Sequence, residues 1–158
     1  MTMKIENNKK GQAALDFMMT YGWAIVLVVI IAVAMFAMGI FDPSNFIGNK
    51  AAGFAGIGVT GWSMDSAGTF TIKVVNNVGN PISLNSINVT IGSTTVSVPV
   101  SSGNIAVGEN SGVLTSATGA FGAQKSNSGY TAKVNIGYTD VTAGFPYVSS
   151  GTLTAKVI

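Results

Sequence analysis

Residues 9–29 read KKGQAALDFMMTYGWAIVLVV: two lysines, a glycine, one lone carboxylate at Asp16, and then an apolar run. The run continues to Phe41, so residues 21–41 carry no charge, and residues 17–20 extend it with a single hydroxyl. That is the length of a bilayer-spanning helix. Its residues are apolar on every side rather than along one stripe, so it wants lipid or other helices around it. A helix over residues 12–41 is expected, roughly 45 Å long at about 1.5 Å per residue. Asp42-Pro43 is expected to end it, because the residue before a proline is pushed out of helical geometry. An ionised acid in hydrocarbon costs about 2.5–3.5 kcal/mol, so Asp16 must stay near an interface or find a partner.

The rest of the composition narrows the function. Only 9% of the 158 residues are charged and 47% are hydrophobic, so Gly, Ser, Thr and Asn must cover most of the surface. There is no arginine, and three of the eight lysines (Lys4, Lys9, Lys10) lie ahead of Gly11. Beyond Gly11, Lys50, Lys73, Lys125, Lys133 and Lys156 balance Asp16, Asp42, Asp65, Glu109 and Asp140. A balanced chain without forked guanidinium donors is a poor phosphate binder, which speaks against a nucleic-acid partner. Without cysteine or histidine the chain lacks a thiolate nucleophile, the usual general base and the commonest metal ligands. No cofactor and no metal site are expected.

Residues 42–68 are dense in glycine and read as a connector, with room for a helical turn capped by Asp42. After Thr69 the period becomes two. Phe70, Ile72 and Val74 share one face, as do Ala132, Val134, Ile136 and Tyr138, and finally Leu153, Ala155 and Val157. Ile82 and Leu84 alternate in phase, but Ile87, Val89 and Ile91 have the opposite parity, so a bulge is expected near Asn85-Ser86. Val96, Val98 and Val100 form a further face, with Pro99 marking an edge. Six to eight such strands make a small antiparallel sandwich or barrel over residues 69–158. The expected class is α+β, a long hydrophobic helix carrying a β-rich head.

Two readings compete for the N-terminus. In an ordinary secretory signal, Ala32-Val33-Ala34 would be the cleavage site and the helix would be discarded. In the other, the cut falls at Gly11-Gln12 and the helix stays in the mature protein. Here the order of residues 9–29, a basic leader, Gly11, Gln12, Asp16, Phe17 and then TYGWA, resembles the class III signal peptide and mature start of archaeal type IV pilins. The likeness is specific over that stretch, looser over FDPSNFIGNKAAGFAGI, and only general in the head. Such families usually carry glutamate where Asp16 stands, one methylene longer.

The resemblance implies a lollipop-shaped pilin, made as a precursor with an 11-residue leader. A membrane prepilin peptidase would cleave after Gly11, with Lys9, Lys10 and Gln12 completing the processing signal. An assembly platform and an ATPase would then draw the subunit from the cytoplasmic membrane into an extracellular adhesion filament, a helical homopolymer. In that filament Asp16 pairs with the freed α-amine of Gln12 on a neighbour, while Ala24, Ala32, Ala34, Ala37 and Gly39 let helices approach closely. A local role is open as well: after the cut Asp16 sits near the helix N-terminus, where the macrodipole favours an acid. Asn88-Val89-Thr90 is an N-glycosylation sequon pointing away from the apolar face of its strand.

Three rivals stand beside the filament subunit. An enzyme would need the head acids Asp65, Glu109 and Asp140 to converge, but they are scattered near turn signals. A monomeric membrane-anchored binding module could use Trp62, Phe121, Tyr130, Phe145 and Tyr147, although aromatics more often pack. A related archaellin subunit is disfavoured by the Gln12 start with TYGWA.

Overall fold

A computed structural model describes residues 8–41, 48–101 and 103–158. The chain divides into two compact units, Met1–Asp42 and Pro43–Ile158. The first contains one helix, α1, over Asn8–Ala37. Its run of Val and Ile is intrinsically poor in helix propensity, yet a helix is the one single-segment structure that pairs every backbone group within itself when water is scarce.

α1 stops at Ala37, short of the Asp42-Pro43 stop expected from the sequence. Gly39 takes a left-handed conformation at φ 69°, its amide donates to the Phe36 carbonyl at 3.0 Å, and the Ile40 amide donates to the Met35 carbonyl at 3.1 Å. This crossed pair of bonds closes the last turn, and glycine is the residue that adopts the required geometry without steric cost. The proline is not needed to stop the helix.

The second unit is an antiparallel β-domain. Among the described residues it has nine strands: β1 (Lys50–Ala52), β2 (Ile57–Met64), β3 (Phe70–Asn76), β4 (Ile82–Ile91), β5 (Thr94–Val98), β6 (Asn104–Ile105), β7 (Leu114–Thr115), β8 (Gly129–Asp140) and β9 (Pro146–Lys156). One sheet runs β1-β9-β8-β4-β5, with β6 also pairing β4, and the other runs β2-β3-β7. The fold is therefore α+β, with a two-sheet head. The glycine-rich stretch read as a connector supplies β1 and β2, and Ile57 and Met64 within it are fully buried.

One core joins the two sheets. Phe70, Ile72 and Val74 face Ile87, Val89, Val134, Ile136 and Leu153, all of them buried. Each is worth about 1.5–3 kcal/mol relative to exposure, which is what offsets the ordering of so many hydroxyl-bearing residues. The parity change in β4 is a bulge: pairing with β8 shifts register between Leu84 and Ser86. That shift is why Ile82 and Leu84, and then Ile87 and Val89, all reach the same core. Asn76 lies in this interior with every polar atom used. Its Nδ2 donates to the Asn80 and Ile105 carbonyls, and its Oδ1 accepts from the Val78 amide.

Candidate functional site

The surface of α1 is the feature that needs explaining. Leu15, Phe17, Met18, Met19, Trp23, Ile25, Val28, Ile30, Val33 and Phe36 are each more than 60% exposed. Among the described residues this is one helix, over Gly11–Ala37, that is long and apolar enough to cross a membrane. Left in water, such a surface would cost about 25 cal/mol per Å², far more than the stability of a small domain, so something must cover it.

Polar groups on this surface are few and economical. Thr20 lies one turn beyond Asp16 and donates its hydroxyl to the Asp16 carbonyl at 2.8 Å, so it adds no free donor to an apolar face. The Asp16 carboxylate is exposed and has no partner among the described residues. Phe17 and Tyr21, also one turn apart, pack as a tilted ring pair, 4.2 Å between centroids with 30° between planes. Beside them the helix has a shallow apolar groove lined by Phe17, Tyr21, Ala24, Ile25, Val28 and Val29. At 100° per residue, Asp16 lies roughly 140° around the helix from the centre of that groove. One neighbour cannot fill the groove and meet the acid from the same side.

Gly11 and Gln12 lie inside α1, and a side chain added at Gly11 would meet nothing within 4 Å. The Gly11-Gln12 bond, where the sequence leads one to expect a cut, is thus helical, with Lys9 and Lys10 in the same element. Ala24, Ala32, Ala34 and Ala37 are exposed. They spread over roughly 220° of the helix circumference rather than forming one seam. Gly39 lies beyond the end of α1, where it closes the last turn.

In the head, Asn88 is half-exposed in the middle of β4, with Ser97 of β5 and Asn135 of β8 as its cross-strand partners. Thr90, the sequon hydroxyl, lies 2.8 Å from the Thr95 hydroxyl. The three head acids do not converge. Asp65 holds the β2–β3 turn, its Oδ1 accepting from the Thr69 amide at 2.7 Å, which lowers its pKa. Asp140 holds the β8–β9 turn. Its Oδ2 accepts from the Asn80 amide at 2.9 Å and its Oδ1 from the Ala143 and Thr142 amides, and these bonds lower its pKa against the opposing effect of desolvation. Glu109 is exposed in a separate loop. The roles of Asp65 and Asp140 as turn anchors were not legible beforehand, although an acid followed by small residues and glycine is the available signal.

The head aromatics divide. Tyr130 is buried edge-on to Phe70 with ring centroids 6.3 Å apart, and Phe121 meets Phe70 at the same separation. Trp62 packs against the core. Phe145 and Tyr147 are exposed, Tyr147 stacking on Tyr138 at 5.7 Å. They do not form one platform.

Compared with known protein families and with curated proteins, the chain matches no family model and no curated sequence. One long apolar helix followed by an antiparallel β-domain is consistent with a generic pilin-like fold.

Proposed function

We propose that the protein is the structural subunit of an extracellular type IV pilus of archaeal type, made as a membrane-inserted precursor. The observation that carries this is a helix exposed and apolar on every side from Gly11 on, whose first turns carry Lys9, Lys10 and Gly11, then Gln12, with Asp16 five residues into the chain that begins at Gln12. A helix with no polar face leaves lipid only by exchanging it for copies of itself. A prepilin peptidase cuts between Gly11 and Gln12, and an assembly platform driven by an ATPase extracts the subunit. Because α1 runs through that bond, its first turn unwinds for cleavage, and Gly11 eases this: glycine in a helix costs about 1 kcal/mol relative to alanine.

After the cut Asp16 is the fifth residue and Gln12 carries a free amine. The acid pairs with that amine on a neighbouring copy and sets axial register, while the groove beside Phe17 and Tyr21 receives a different neighbour. Alanines on several sides of α1 suit a rod surrounded by copies. Asn88 carries an N-linked glycan on the outer face of the head. The fibre serves adhesion at the cell surface. The role is structural rather than catalytic: Asp65 and Asp140 anchor separate turns and Glu109 stands apart from both.

The test is to shear intact cells, pellet what is released and sequence the N-terminus of the main band. A fibre whose subunit begins at Gln12 supports the proposal. A protein that stays with the cell indicates an anchored module instead, and a soluble chain beginning near Met35 indicates an ordinary signal.

A further inference from the structure

Residues 141–155 contain no charged side chain, and the first part of that run forms the end of the β8–β9 hairpin. Val141, Phe145, Tyr147 and Val148 there are 45%, 64%, 46% and 70% exposed. This end is rigidly built. Besides the Asp140 side-chain bonds, the Asp140 amide donates to the Phe145 carbonyl, the Gly144 amide to the Asp140 carbonyl, and the Val141 amide to the Pro81 carbonyl, all within 3.1 Å. The strand edge is open as well. β9 pairs with β8 from Pro146 onward but with β1 only at residues 152–154, so residues 146–148 have no strand on their other side among the described residues. A fixed apolar projection beside an unpaired edge is suited to docking.

Its size says what docks there. Four side chains, two of them aromatics about half exposed, offer on the order of 300–400 Å², less than half of the ~800 Å² per partner that a stable complex buries. An uncharged surface of this size neither steers a charged ligand nor holds an independent partner. It is sufficient only when something else keeps the partner close, because tethering supplies an effective concentration in the millimolar range. We infer that the β8–β9 end, centred on Phe145 and Val148, is a head-to-head contact with a second copy of this chain, made when the copies are already held together through α1. The inference rests on the polymer reading above.

The natural chain has no cysteine, so single reporters are unambiguous. Phe145→Cys, Val148→Cys and, as a control, Val113→Cys, 69% exposed on the loop before β7, are expressed as full chains, and their maleimide labelling is compared in fibres and in detergent-dispersed subunits. All three positions are solvent-facing, so folding is not at stake. The expected result is labelling at 145 and 148 slowed by about tenfold or more in fibres, with 113 changed less than about twofold, since thiol reactivity follows access. Equal labelling of 145 and 148 in fibres and in detergent overturns the contact while leaving the polymer intact. Failure of the parent chain to form fibres overturns the polymer reading and the contact with it.

Discussion

The Ile40 amide reaches back across the end of α1 to the Met35 carbonyl at 3.1 Å, and the left-handed Gly39 between them makes that return possible. Gly39→Ala keeps the side chain small but places a Cβ in left-handed geometry, at a cost of about 1 kcal/mol. The amides of Gly39 and Ile40 should then exchange with solvent roughly fivefold faster in detergent-dispersed subunits, with the middle of α1 unchanged. Unaltered exchange at both amides would show that the helix end is held by something other than this turn.

Processing gives a second test. Gly11→Val puts a branched side chain beside the bond that, on the proposed processing, unwinds to enter a protease cleft. The expected outcome is an uncut precursor in the membrane fraction and no fibres, read by mass and by microscopy. Normal fibres from this variant would exclude cleavage at Gly11-Gln12.

In the head, Gly68 turns the β2–β3 hairpin at φ 87°, and a Cβ built there would lie 2.0 Å from the Gly122 carbonyl oxygen. The obstacle is backbone and cannot rotate away. Gly68→Ala should destabilise the head by roughly 3 kcal/mol or more, lowering Tm by over 10 °C. A shift of only a degree or two would mean that the 119–122 turn moves freely.

Burial sets the alkaline pH limit of the head and hydrogen bonding the acid one. Desolvation pushes the Tyr130 hydroxyl up to about 12, and that hydroxyl has no hydrogen-bond partner among the described residues. Between about 10, the unfolded value, and 12 the unfolded chain releases a proton that the folded chain keeps, so stability falls as pH rises through this window. Tyr130→Phe removes its own share of the alkaline loss, while Tyr138, also raised by desolvation, keeps its share, and it removes an unsatisfied buried group. It should raise stability at pH 7 by about 1 kcal/mol. At the acid end, Asp140 is held low chiefly by the Asn80 amide and Asp65 by the Thr69 amide. Their contribution is present above the unfolded value near 4 and is lost as pH falls through the lower folded values. Melting curves of parent and variant from pH 2 to 12 check both limbs.

Much of this fold is written in its periodicity. Residues 70–76, 130–138 and 153–157 alternate cleanly because one face of each strand meets the core, and the parity change at Asn85 is visible because the bulge sits between two regular runs. β2 was hidden for the opposite reason: its own register shift lies between Val59 and Gly61, inside one short strand rich in glycine, and erases the alternation that marks it. The end of α1 was misplaced because Pro43 restricts only the residue before it, whereas Gly39 acts earlier by accepting a conformation other residues avoid. β6 and β7, at two residues each, are too short to carry any period. Buried Asn76 reads as a surface residue, because what keeps it inside is a set of backbone partners from distant segments.

The most direct measurement is an electron cryo-microscopy map of the fibre sheared from cells. The account predicts subunits starting at Gln12, with α1 intact along the axis and Leu15, Met18, Ile25 and Phe36, all exposed in the single chain, covered by neighbouring helices. A fibre without α1, or one in which those side chains face water, would contradict it.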